Sequence, residues 1–156
     1  MSDFGPESGY ESGAESGQVL PFATAALGER VVIARDSLSV HELLAFDSGS
    51  LAVFELAGGK TGRAIVHAEV DELWYFLSGR GRLWRSNDSN ESIEEVGEGT
   101  CVSLPRGTRF QVQAYPKAKL KAVAVTLPRW PGDDAARVVE GPWVASVPRT
   151  ECSNGN

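Results

Sequence analysis

The 156-residue chain is poor in the residues that build metal and disulfide frameworks: it has two cysteines and two histidines. Cys101 and Cys152 are too few for a disulfide scaffold, and Cys152 falls in a polar C-terminal stretch, ECSNGN. A reducing, cytoplasmic location is therefore expected. No apolar run reaches the length needed to cross a bilayer, and the N-terminus lacks the charged-then-apolar pattern of a secretory signal. No basic cluster is dense enough for nucleic acid. Neither a membrane nor a nucleic acid is thus an expected partner. The chain also lacks any convincing helical period over three turns.

The first eighteen residues, MSDFGPESGYESGAESGQ, repeat Glu-Ser-Gly three times and contain no basic residue. They carry Asp3, Glu7, Glu11 and Glu15, so of the net charge of −6 only −2 belongs to the rest of the chain. Such a segment cannot bury enough apolar surface to offset chain entropy, and disorder is expected over 1–18. A single domain over 19–147 and a flexible tail over 148–156 complete the expected organisation.

What fills the domain is a series of short strand-like runs. VVIAR (31–35), VHELLAF (40–46), LAVFEL (51–56), RAIVHAE (63–69), ELWYFLS (72–78), GRLWR (81–85), TCVSLP (100–105), RFQVQA (109–114) and LKAVAVTL (120–127) are separated by turn-forming stretches such as AGGKTG, SGRG and PRG. Ser86–Ser92 reads as a polar hairpin loop, and Asp133–Val138 as a single helical turn. Many short strands with glycine-rich turns predict an all-β antiparallel sandwich or barrel. Strand alternation puts Arg63, Ile65, His67 and Glu69 on one face, and Glu72, Trp74 and Phe76 on another. If His67 and Glu72 point inward, they share an aromatic-lined interior of the kind that binds small molecules.

Two stretches resemble the motifs of the cupin family. In the first, Gly59, His67, Glu72 and Gly79 fall on the family spacing, but the first histidine position is Ile65. In the second, Gly99, Pro105 and Gly107 match, the histidine position is Phe110 and the asparagine position is Ala114. The likeness spans roughly residues 45–128. It implies an antiparallel double-stranded β-helix, or jelly roll. In metal-bearing cupins two histidines, a glutamate and a later histidine hold one divalent ion. Only His67 and Glu72 remain here, with Glu69 as a substitute on the His67 face, so no resident cofactor is expected. The alternative is iron, manganese or zinc held by His67, Glu72 and Glu69.

Three readings of His67 and Glu72 follow. They could simply satisfy each other in a non-catalytic binding barrel. They could perform acid–base chemistry without metal, because a carboxylate walled by Trp74, Phe76, Ile65 and Phe110 has a raised pKa. They could hold a metal for a dioxygenase or lyase reaction. The leading expectation is an isomerase, cyclase or lyase acting on a small molecule, with Glu72 and His67 as catalytic groups. Trp74, Phe76, Trp84 and Phe110 are candidate substrate contacts, and Arg63 and Arg82 candidate anion anchors. Cys101 is expected to be a buried small hydrophobe. The segment 127–146 reads as an ordered strap that covers the pocket mouth or pairs with a second copy in a homodimer.

Overall fold

The computed structural model describes residues 20–146, which excludes both expected tails and Cys152. Eleven strands occur among the described residues: β1 Val31–Ile33, β2 Ser39–Phe46, β3 Gly49–Leu56, β4 Ile65–His67, β5 Asp71–Ser78, β6 Arg80–Ser86, β7 Glu91–Gly97, β8 Cys101–Leu104, β9 Arg109–Ala114, β10 Leu120–Leu127 and β11 Ala136–Val138. They form two antiparallel sheets, ordered β1-β2-β3-β10-β5-β8 and β11-β4-β9-β6-β7. This is the expected double-stranded β-helix. No helix among the described residues is long and apolar enough to cross a membrane.

The inner faces follow the period-two pattern. On β10, Leu120, Ala122, Ala124 and Thr126 are buried, while the residues between them are more exposed. On β5 the same holds for Glu72, Trp74 and Phe76. Phe76, Leu83, Leu120 and Ala122 are fully excluded from solvent at the centre of the core. Motif glycines set the turns. Gly79, between β5 and β6, has φ of +80°, and a Cβ there would lie 2.3 Å from the Lys119 carbonyl oxygen. Gly107, with φ of +82°, donates its N–H to the His67 carbonyl at 2.7 Å and ties the second motif to the first.

Several elements differ from the sequence reading. The hairpin loop shrinks to Asn87–Asn90, because the Asn87 side chain accepts the N–H groups of Ser89 and Asn90. The residues after it form β7, an edge strand in which only Val96 is buried and three glutamates are exposed. Charged residues on an edge suit a strand that must not recruit another chain. β4 keeps only three of seven expected residues. Arg63 leaves the ladder, since its N–H bonds the Asp36 carbonyl at 2.7 Å. Asp133–Ala135 is a 3-10 turn, but Ala136–Val138 extends and pairs with β4. Cys101 is exposed, because Val102 and Leu104 take the inward positions of β8.

Candidate active site

His67 and Glu72 come together from opposite sheets. His67 ends β4, and Glu72 lies near the start of β5. His67 Nε2 stands 3.5 Å from Glu72 Oε1, beyond the usual N–H···O range. The other carboxyl oxygen, Oε2, accepts the indole N–H of Trp74 at 2.7 Å. Both side chains line a cavity of about 550 Å³, together with Ile65, Trp74, Phe110 and Phe54. The Trp74 ring meets Phe110 edge-on at 5.2 Å and Phe54 at 4.4 Å.

The void comes from two small side chains. Across β3, β10, β5 and β8, Ala52, Ala124, Trp74 and Val102 form one inward row. Ala52 and Ala124 leave the space beside Trp74 open, and both line the cavity. One row deeper, Phe54, Ala122 and Phe76 fill the interior.

Burial dominates the electrostatics. Glu72 is only 7% exposed. Desolvation raises its pKa from 4.5 to about 7; the Trp74 hydrogen bond opposes the rise and the charge of Asp36 adds to it. Desolvation lowers the pKa of His67, against a weaker upward pull from Asp133. Near neutral pH Glu72 is therefore divided between its protonated and charged forms, far more protonated than an ordinary glutamate, beside an imidazole that burial holds toward its neutral form. Among the described residues the buried His67 Nδ1 has no hydrogen-bond partner.

Asp36 was missed by the sequence reading. It sits in the β1–β2 turn, buried, with one oxygen accepting the Leu38 N–H at 3.0 Å. Burial first, and then the charge of Asp133, raise its pKa to about 6 despite that bond. The only local signal was an aspartate two residues before a buried leucine, which is common in turns.

The other expected site residues do not gather here. Phe76 faces inward but belongs to the packed row, edge-on to Phe54 and Trp74. Arg82 and Trp84 lie on the opposite face of β6 from the buried Leu83. Arg82 donates to the Gln113 side chain at 2.7 Å and its guanidinium stacks 4.3 Å from the Trp143 ring centroid. The Trp84 indole donates to Glu91 at 2.8 Å. Arg63 does not line the cavity, because it turns off the strand before β4 begins. Glu69 is exposed in the bend after β4, so it does not share the inward face of His67.

The motif donors are reduced to two. Among the described residues no group of three His, Cys, Asp or Glu side chains is arranged to hold an ion. His67 and Glu72 are the two donors of the motif that remain.

The strap divides its work. Arg129, Trp130, Pro131, Gly132 and Asp133 line the cavity mouth. Asp133 is pinned by the Arg35 N–H at 2.7 Å. Further on, the strap covers the outer face of the β4–β9 sheet. Gln111 donates to the Trp143 carbonyl at 2.8 Å and accepts the Trp143 N–H at 3.1 Å.

No protein-family profile and no curated protein sequence matches the chain. Solved structures do. Pac13 from Streptomyces, described as a nucleoside dehydratase and solved with uridine, aligns with a TM-score of 0.61 at 12% identity, over 78% of this chain and 92% of its own. A double-stranded β-helix protein from Klebsiella pneumoniae aligns at 0.55 and 13% identity, over 76% of this chain and 91% of its own. Oxalate decarboxylase from Bacillus subtilis aligns at 0.66 and 14% identity, over 78% of this chain and 33% of its own. The fold is the double-stranded β-helix of these structures. At these identities the likeness carries the fold alone.

Proposed function

We propose that this chain is a small-molecule enzyme performing acid–base chemistry with Glu72 and His67 in the barrel cavity. The observation that carries the reading is the Glu72 carboxyl, buried to 7% exposure, facing the His67 imidazole across a 3.5 Å gap inside an apolar-walled cavity. A carboxyl that holds its proton to about pH 7 and a neutral imidazole so close together can act on one substrate in opposite senses. In an elimination, His67 takes a proton from carbon and the C–H electrons become a C=C bond. The neighbouring C–O bond breaks, and Glu72 gives its proton to the departing oxygen as water. No oxidant or reductant is consumed. The same pair serves an isomerisation if the proton is returned to another carbon.

The Trp74 N–H holds Glu72 Oε2, leaving Oε1 as the oxygen that meets the substrate. Ile65, Trp74 and Phe110 form the apolar part of the wall beside the pair.

Uridine is the first compound to test, since a protein of this fold was solved with it. Other hydroxylated small molecules complete the panel, with loss of water read by mass spectrometry. Turnover is expected to show a bell-shaped pH dependence and to fall at least about a hundredfold in Glu72→Gln. Turnover in Glu72→Gln equal to the wild type would overturn the proposal.

A further inference from the structure

Inward of the strap, the inner face of the larger sheet ends in a polar row. The register aligns Ser50 on β3 with Thr126 on β10, and Thr126 with Glu72 on β5. All three line the cavity. The rows beneath are alanine and aromatic, so this is where the inner face of the sheet turns polar. Directly opposed residues on neighbouring strands stand about 5 Å apart at Cβ. The Thr126 hydroxyl is therefore one strand away from the Glu72 carboxyl, on the same face.

Thr126 is 6% exposed. Its hydroxyl pairs with that of Ser50, and Ser50 Oγ also accepts the Trp130 N–H at 3.0 Å. If Ser50 donates to Thr126, the Thr126 hydrogen is free to donate. If Thr126 donates to Ser50, both lone pairs of its oxygen are free to accept. In either orientation Thr126 keeps an unused hydrogen-bonding function beside Glu72, and the Trp130 N–H fixes the hydroxyl behind it.

We propose that Thr126 is a substrate-binding residue, and that the cavity takes a ring-shaped molecule carrying a hydroxyl on the edge that faces the Ser50–Thr126–Glu72 row. The apolar face of the ring would lie against Trp74 and Phe110. This rests on the reading of the cavity as the ligand site. Threonine suits the position because its methyl packs in the wall while its hydroxyl meets the ligand. A buried hydroxyl built to meet a substrate oxygen discriminates against analogues without one.

The test uses two probes of equal shape, phenol and toluene, titrated by NMR against the wild type, Thr126→Val and Thr126→Ser. Valine matches threonine in shape without the hydroxyl, and serine keeps the hydroxyl. The preference for phenol over toluene is expected to drop about fivefold in Thr126→Val, the size of one hydrogen bond, and to persist in Thr126→Ser. If the valine variant does not fold, Thr126→Ala carries the same comparison. An unchanged preference in a folded variant without the hydroxyl overturns the proposal, as does a wild type that binds neither probe. The acid–base reading stands or falls separately. A lost preference in Thr126→Val alongside a fully active Glu72→Gln keeps the hydroxyl site and removes the acid–base roles; the reverse pair of results does the opposite.

Discussion

Ile65 and Phe110 stand directly opposite each other across β4 and β9. They occupy the two positions where the cupin motifs would place histidines, so the two missing ligands are cross-strand neighbours. Their replacement closes one continuous apolar wall beside His67, whose ring lies 5.9 Å from that of Phe110. The Ile65→His, Phe110→His double variant is expected to bind about one equivalent of zinc or cobalt, with His67 and Glu72 completing a four-ligand set. Elemental analysis after dialysis checks it. No gain over the wild type would mean that the backbone at these positions no longer aims side chains at a common point.

The buried carboxyl makes stability depend on pH in a defined sense. Glu72 titrates at about 7 in the folded chain against 4.5 ordinarily. Between these values the native state holds a proton that the unfolded chain has released. Its contribution is complete below the lower value and is lost as pH rises through the upper one, amounting to roughly 3 kcal/mol. Asp36, raised from 3.8 to about 6, acts with the same sign. His67, lowered by burial, acts in the opposite sense: its contribution is lost as pH falls through its depressed value. Comparison with Glu72→Gln isolates Glu72. Urea unfolding at several pH values should show the variant gaining on the wild type as pH rises across this window. A constant difference would count against the buried, protonated carboxyl.

Trp74→Phe keeps the aromatic wall but removes the N–H that Glu72 Oε2 accepts. That bond favours the charged carboxylate, so its loss should move the Glu72 pKa further up. Carbon-13 NMR of the glutamate carboxyl reads the change. The absence of a rise would count against the indole bond as a determinant of the Glu72 pKa.

Gln111 is buried and bonds the strap through both ends of its amide, with a further bond from Nε2 to the Gly62 carbonyl at 2.8 Å. Gln111→Ala leaves the buried Gly62 carbonyl and the half-buried Trp143 backbone groups without this partner and should cost about 2 kcal/mol. It should also make the chain near Trp143 a new site of protease cleavage, absent from the wild type. Unchanged stability and unchanged cleavage would show that the strap is held elsewhere.

The sequence was most informative where one strand determines its own faces. The inward positions of β5 and β10 follow from alternation, and the two motifs together indicated the double-stranded β-helix. Alternation failed where a strand stopped early. Arg63 and Glu69 share parity with His67, but the ladder holds only Ile65–His67, so neither follows the inward face. Phe76 faces the right way and lies one row too deep, because depth along the barrel is set by register between strands far apart in sequence. Asp36 and Thr126 were illegible for the same reason: their place beside Glu72 depends on a turn and a strand 36 and 54 residues away. β7 was hidden by its charge, since an edge strand exposes most of its side chains.

Ala52 and Ala124 open the cavity by what they lack, and neither supplies a polar side-chain group. Under the proposed acid–base reading, the space open to a ligand is thereby set apart from the groups that would move the proton. Each methyl group added at either alanine subtracts ligand volume without altering Glu72 or His67. Substitution at these two positions alone would therefore set which ligands the barrel admits while leaving the His67–Glu72 pair in place.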